Sequence, residues 1–351
     1  MMEKQTRIRY FDLIRGIAIL LVLWGHIIQF GGGESEPFAN KAFIFIYSFH
    51  MPLFLLISGF FLAKSIGKRS FVQNIKRKVV HIIVPAVLGG VGFYVVKLVV
   101  ERLLGRDMYP VSMAMLFEEI GNIWFLWCMF MCSVALLAAA ALARKLGSER
   151  FMPLILLAVF VLFAVLPYSE YNIYLFPYFV TGFYMGRGTF QKLSKLELFS
   201  VMLFPMMLQN FSDKHFIYAS GVSLLSSNYG AAEQCLINVF RWLIGFAGCF
   251  VVILFTRKLD ESFQENKVCA LICEIGKCTL EIYILQRIVV EYLGAKVLWK
   301  LVNGPGSVVL GNEIVYSYVF TPVCSIAFTL LLYYIVKGAK TIRRSIHADK
   351  M

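Results

Sequence analysis

The chain has 351 residues, of which 59% are hydrophobic and only 16% charged, and its mean hydropathy of +0.73 exceeds what a soluble domain of this size needs for its core. An ordinary soluble enzyme is excluded, and a polytopic membrane protein is indicated. The formal net charge of +13 does not point to nucleic acid, because the basic residues neither line one amphipathic face nor alternate with stacking aromatics.

Apolar segments fall at roughly 10 to 30, 42 to 63, 79 to 100, 120 to 143, 151 to 167, 171 to 186, 196 to 211, 235 to 256, 268 to 295 and 313 to 336. Read as spans, they predict an all-α bundle of about ten transmembrane helices. The first run has no small-residue cleavage site after it, so it is read as a retained helix rather than a cleaved signal peptide. The fifth and sixth segments, around Pro167, are short for a spanning helix, and the stretch from Ser212 to Gln234 has no clear assignment.

Lysine and arginine placement orients the bundle. The terminal segments and alternate loops on one side hold 23 of the 34 basic residues, and the loops on the other side hold six. Both termini are therefore predicted cytoplasmic. A topology reporter fused at Gly32 is expected to read extracytoplasmic and one at Ser65 cytoplasmic; the reverse pattern would invert this orientation.

The remaining cations, Arg15, Lys97, Arg241, Lys277 and Arg287, lie within or at the edges of apolar segments. An ionisable group there is a functional candidate, with snorkelling the simpler reading for Lys97 and Lys277. The eight cysteines lie mostly inside apolar runs with no CxxC or Cys/His cluster, so they read as small core residues and no metal site is expected. No internal repeat, P-loop, dinucleotide fingerprint or zinc-protease motif occurs. A single integral-membrane domain over residues 1–351 is expected. The sequence runs only about 15 residues past the last apolar segment, so no appended soluble catalytic domain is expected.

The first helix carries the sharpest signal. In `YFDLIRGIAILLVLWGH`, Arg15 and His26 are eleven residues apart, which returns to within about 20° of one helical face with Cα atoms roughly 16 Å apart. Asp12 is three residues before Arg15 and is placed to pair with it, lowering the cost of burying either. Two readings stand for Asp12 and Arg15, interfacial anchors or functional charges. His26 and a second histidine, His50 in `SFHMPLF`, are both expected in the outer half of adjacent helices. Histidine exchanges protons near neutral pH, so the pair is a candidate for general acid/base work.

These stretches resemble the membrane-bound acyltransferase family 3. `FDLIRGIAILLVLWGH` matches the family's arginine, ten residues, histidine signature at Arg15 and His26, with Asp12 ahead of them. `YSFHMPLFLLISGFFLAKS`, with His50, Pro52, Ser58 and Gly59, resembles the second-helix motif; `IWFLW` from Ile123 and `IGKCTLEIYILQ`, with Tyr283, resemble later ones. The chain departs from the family at Gln286, where a histidine is common, and at `KRKVVH`, where Lys78 and His81 stand at the nearest spacing to an Arg-x-x-Arg pair.

The resemblance implies transfer of an acyl group, usually acetyl, from cytoplasmic acyl-CoA to a hydroxyl of a glycan or lipid-linked sugar of the cell envelope, by a multi-pass protein of the bacterial plasma membrane. Acyl-CoA is a co-substrate in this reading, with no tightly bound cofactor. His26 is then the general base, or alternatively a nucleophile that forms an acyl-histidine, Asp12 orients Arg15, and Arg15 with Arg77 and Lys78 holds the donor's phosphates. His50, Trp124, Arg241 and Tyr283 are candidates for acceptor binding, Arg241 also for a developing oxyanion. For His50 close helix packing is an equal reading, and for Trp124 and Tyr283 an interfacial aromatic belt is the stronger one. The rival class is a proton-coupled transporter or flippase, since buried Asp, Arg and His also build proton relays.

Overall fold

The computed structural model describes residues 9–31, 37–105, 111–166, 170–188, 194–216, 229–304 and 306–348. The described residues are helical throughout apart from connecting turns and one isolated bridge between Ile66 and Arg69. In chain order the helices are α1 (Arg9–Gly31), α2 (Lys41–Tyr47), α3 (His50–Ser65), α4 (Phe71–Leu103), α5 (Met113–Gly121), α6 (Trp124–Lys145) and α7 (Met152–Val165). They continue as α8 (Glu170–Gly186), α9 (Ser194–Leu208), α10 (Ala231–Ser262), α11 (Lys267–Gly276), α12 (Thr279–Gln286), α13 (Ala295–Val302) and α14 (Thr321–Ala348).

Among the described residues six helices are long and apolar enough to cross a membrane: α1, the α2 and α3 pair, α4, α6, α10 and the run from Glu313 into α14. Helices α7, α8 and α9 have 14, 17 and 15 residues. At 1.5 Å per residue each falls short of a ~30 Å hydrocarbon core. Over their described residues the apolar segments read from the sequence are mainly helical, the end of the 151 to 167 segment at Pro167 lying outside the described residues, and most of α5 lies in the stretch between the segments 79 to 100 and 120 to 143. Large apolar side chains such as Leu88, Leu154, Met206 and Leu236 are exposed. Exposed apolar side chains of that size suit lipid as the surrounding solvent.

Two segments differ from single spans. The run 42 to 63 breaks after Tyr47 and restarts at His50, and the run 268 to 295 breaks at Lys277 and Cys278. From Thr279 the chain is then helical to Val302, but its middle, Arg287–Gly294, is a π-helix. Further π turns occur at Val79–Ile83 in α4 and at Tyr316–Phe320 ahead of α14. Hydropathy reports the length of an apolar run and is blind to such changes of helical ladder.

The chain divides into two compact units, Met1–Ile46 with Val252–Met351, and Tyr47–Val251. In the first, α1 lies against α11, α12 and α14. The approach of α1 and α11 is set by glycine: a Cβ on Gly276 would stand 1.9 Å from the Asp12 carbonyl oxygen, and one on Gly16 would stand 2.1 Å from that of Ile272. Small residues let two helix backbones meet closely, which is how membrane helices gain packing energy without a solvent-driven term between them. Ser325 donates to the Leu20 carbonyl (2.8 Å), and Trp24 Nε1 donates to Thr321 Oγ1 (2.9 Å), fixing the rotation of α1.

In the second unit α3 packs along α8 by the same device, with Gly59 against Phe179 and Gly182 against Leu56. Lys97 donates to Glu119 at 2.9 Å, joining α4 to α5. The simple snorkelling expected for Lys97 is replaced by a mostly buried ion pair. Lys277, at the helix break, pairs with Glu274 one turn back.

Candidate functional site

The α1 stripe is built as the sequence spacing implies, with Asp12, Arg15 and His26 on one uninterrupted helix. Asp12 is 3% exposed, and its Oδ1 lies 3.9 Å from Arg15 Nη1. Arg15 keeps 27% of its side chain accessible. Burial of the carboxylate is offset by this charge, while the guanidinium stays within reach of a further anion.

His26 stands at the centre of a polar cluster that the sequence reading did not assemble. Its Nδ1 is 2.8 Å from Gln286 Oε1 and 3.0 Å from Glu291 Oε1. Gln286 Nε2 donates to the same Glu291 oxygen at 2.6 Å, and Arg287 Nε lies 3.8 Å from Glu291 Oε2. Gln286 is fully buried, and Arg287 nearly so. Phe30 meets the imidazole edge to face at 5.8 Å. The imidazole is thus gripped through one nitrogen by a carboxylate and an amide, an arrangement that orients a histidine for proton transfer at its other nitrogen.

The π-helix is what makes this possible. In an α-helix Gln286 and Glu291, five residues apart, would point about 140° away from each other. In the wider π turn that opens at Arg287 their side chains meet. The sequence signal for Glu291 was an acid inside the apolar run `RIVVEYLG`; weighing intramembrane acids alongside the cations would have found it. Gln286 entered only as a departure from the family motif, and Arg287 only as an intramembrane cation.

Tyr283 lies on α12, one helical turn before Gln286 and half-buried. The other candidates belong to the second unit. His50 is buried, with its ring 4.6 Å from Tyr47. Trp124 stacks on Tyr171 at 4.3 Å. Arg77 is exposed and Lys78 half-buried in the first stretch of α4, where the Arg77 carbonyl accepts from His81 Nδ1 (2.8 Å). Asp12, Arg15 and His26 therefore share one unit with Gln286, Arg287 and Glu291, whereas His50, Arg77, Lys78, Trp124 and Arg241 share the other.

Arg241 is 1% exposed in α10. Its Nε donates to the His215 carbonyl, and its guanidinium lies over the Tyr174 ring at 5.3 Å. Tyr178 donates to its backbone carbonyl at 3.0 Å. His215 sits between Phe211 and Phe240. Burial, then Lys214 and Arg241, push its pKa down to about 4, so the ring is neutral at physiological pH. Among the described residues no cluster of His, Cys, Asp and Glu is arranged to hold a metal ion.

Comparison with known proteins agrees with the motifs. The chain is 30% identical over 122 residues to a nodulation protein NolL of Mesorhizobium japonicum, covering 34% of this chain and 32% of that protein. It is 28% identical over 188 residues to nodulation protein NolL of Sinorhizobium fredii, covering 50% of this chain and 48% of that protein. The chain thus spans about a third to a half of the length of these curated relatives. No solved structure matches. The model of acyltransferase family 3, described as an acyltransferase domain, matches residues 8–337, nearly the whole chain, and the chain belongs to that family.

Proposed function

We propose that the protein transfers an acyl group, acetyl in the first instance, from cytoplasmic acyl-CoA to a hydroxyl of a cell-envelope glycan or lipid-linked sugar. The observation that carries this reading is His26, gripped at Nδ1 by Glu291 and Gln286 on a membrane-length helix whose other end bears the Asp12 and Arg15 pair. Family membership over residues 8–337 supports the acyl-transfer chemistry. The donor and acceptor are what membership of the family implies, and membrane sidedness rests on the Lys and Arg distribution.

In this mechanism His26 Nε2 takes the proton of the acceptor hydroxyl as its oxygen attacks the thioester carbonyl. The tetrahedral intermediate expels coenzyme A as the C–S bond breaks, and the imidazolium returns its proton to the thiolate. The products are an ester and free coenzyme A thiol. Glu291 stabilises the imidazolium in between, in the manner of a carboxylate behind a catalytic histidine. General base catalysis of this kind contributes about 10²–10⁴-fold. Arg15 attracts the donor's phosphates; Asp12 orients Arg15 and partly neutralises it.

Arg15→Lys keeps the charge and loses the planar fork, so donor KM is expected to rise about tenfold with acceptor KM little changed. Equal damage to both, or none, would remove Arg15 from the donor site. Purified protein incubated with acetyl-CoA and candidate glycans separates the enzyme from its rival. Thiol release coupled to an acetylated product supports transfer; movement of the substrate across a vesicle membrane without modification supports transport.

A further inference from the structure

We infer that Gln286 and Glu291, joined by the π turn, act as positioning residues that fix which ring nitrogen of His26 carries the proton. The inference rests on His26 serving as the base, and it adds how that base is kept ready. Hydrogen-bond donors and acceptors around Nδ1 decide the tautomer. A glutamine amide has one acceptor oxygen and a donor NH2, and a carboxylate only accepts. The Gln286 NH2 is committed to Glu291 at 2.6 Å, which turns the Gln286 oxygen to His26 Nδ1 at 2.8 Å. Glu291 presents a second acceptor to the same nitrogen at 3.0 Å. A bare lone pair on Nδ1 would face two oxygens with no proton between them.

Nδ1 therefore carries the hydrogen, shared between the two oxygens, and Nε2 of the neutral ring carries the lone pair. Rotating the Gln286 amide by half a turn would break the contact to Glu291 and set an NH2 against Nδ1, so the amide and the carboxylate lock one another. Arg287, 3.8 Å from the second Glu291 oxygen, compensates the remaining carboxylate charge. In the positioned state the ring needs no tautomer exchange before it accepts a proton, a requirement that costs catalysis heavily where it is lost.

The test reads the tautomer directly and then its consequence. With ¹⁵N-labelled histidine in the full-length protein at pH about 9, well above the ordinary imidazole value near 6.5, the His26 ring, assigned by its loss in His26→Ala, should show N–H at Nδ1 only. An Nε2–H signal in the wild-type protein would overturn the inference whether or not turnover is detected, so its failure is distinct from failure of the acyltransferase reading. In turnover, Glu291→Gln and Gln286→Glu are each expected to lower kcat about 100-fold with both KM values changed less than about threefold. The double variant Gln286→Glu with Glu291→Gln exchanges the two groups and restores one carboxylate and one amide around Nδ1. It should recover at least about tenfold over either single variant. Single variants at wild-type kcat, or a double variant no better than the singles, would overturn the positioning role.

Discussion

Replacing His26 with alanine is expected to lower acyl transfer by about 10²–10⁴-fold while the protein still inserts and accumulates. The size of the loss follows from removing the only group proposed to take the hydroxyl proton. Survival of the fold follows from what remains. Glu291 keeps the Gln286 amide at 2.6 Å and the Arg287 guanidinium at 3.8 Å, so truncating the imidazole does not strand an uncompensated carboxylate. The imidazole is itself partly accessible, with 17% of its side chain exposed. Near-normal transfer by this variant, measured by acylated product per amount of membrane protein, would remove His26 as the base.

Gly276→Ala is expected to cost about 1–3 kcal/mol of stability and most of the activity, although Gly276 touches no substrate in this account. Its added Cβ would stand 1.9 Å from the Asp12 carbonyl oxygen and 2.8 Å from the carbonyl carbon. Both are backbone atoms of α1, which no rotamer change can move aside. Relief requires α1 and α11 to separate, and α1 carries Asp12, Arg15 and His26. Gly92→Ala in α4 is the control: beyond its own stretch of helix no heavy atom lies within 4 Å of the added Cβ, so a helix-interior glycine is exchanged for a better helix former at no steric cost. Thermal denaturation in detergent should separate the two variants clearly, and equal melting behaviour would contradict the packing argument.

The helices and the α1 stripe were legible in the sequence because both depend on near neighbours. An apolar run of about 20 residues needs no partner to be recognised, and the eleven-residue spacing of Arg15 and His26 is a property of one straight helix. The grip on His26 was not legible, because it joins residues 260 positions apart and depends on a π turn. Read on an α-helical wheel, Gln286 and Glu291 fall on different faces. Lys97 repeats the lesson: its charge is conspicuous in an apolar run, but its partner Glu119 lies 22 residues on, in a short helix that falls between two apolar runs. The break at Lys277 and Cys278 was hidden by apolar residues on both sides.

The central claim is that one half-buried histidine serves a donor from one side of the membrane and an acceptor from the other. Oriented proteoliposomes test it most directly, with acetyl-labelled acetyl-CoA supplied only to the face predicted to bear the termini and a glycan acceptor only to the opposite face. The account predicts labelled ester on the acceptor and stoichiometric thiol release with the wild-type protein, and neither with His26→Ala. Transfer at equal rates by both proteins, or ester formed only when donor and acceptor share a face, would contradict it.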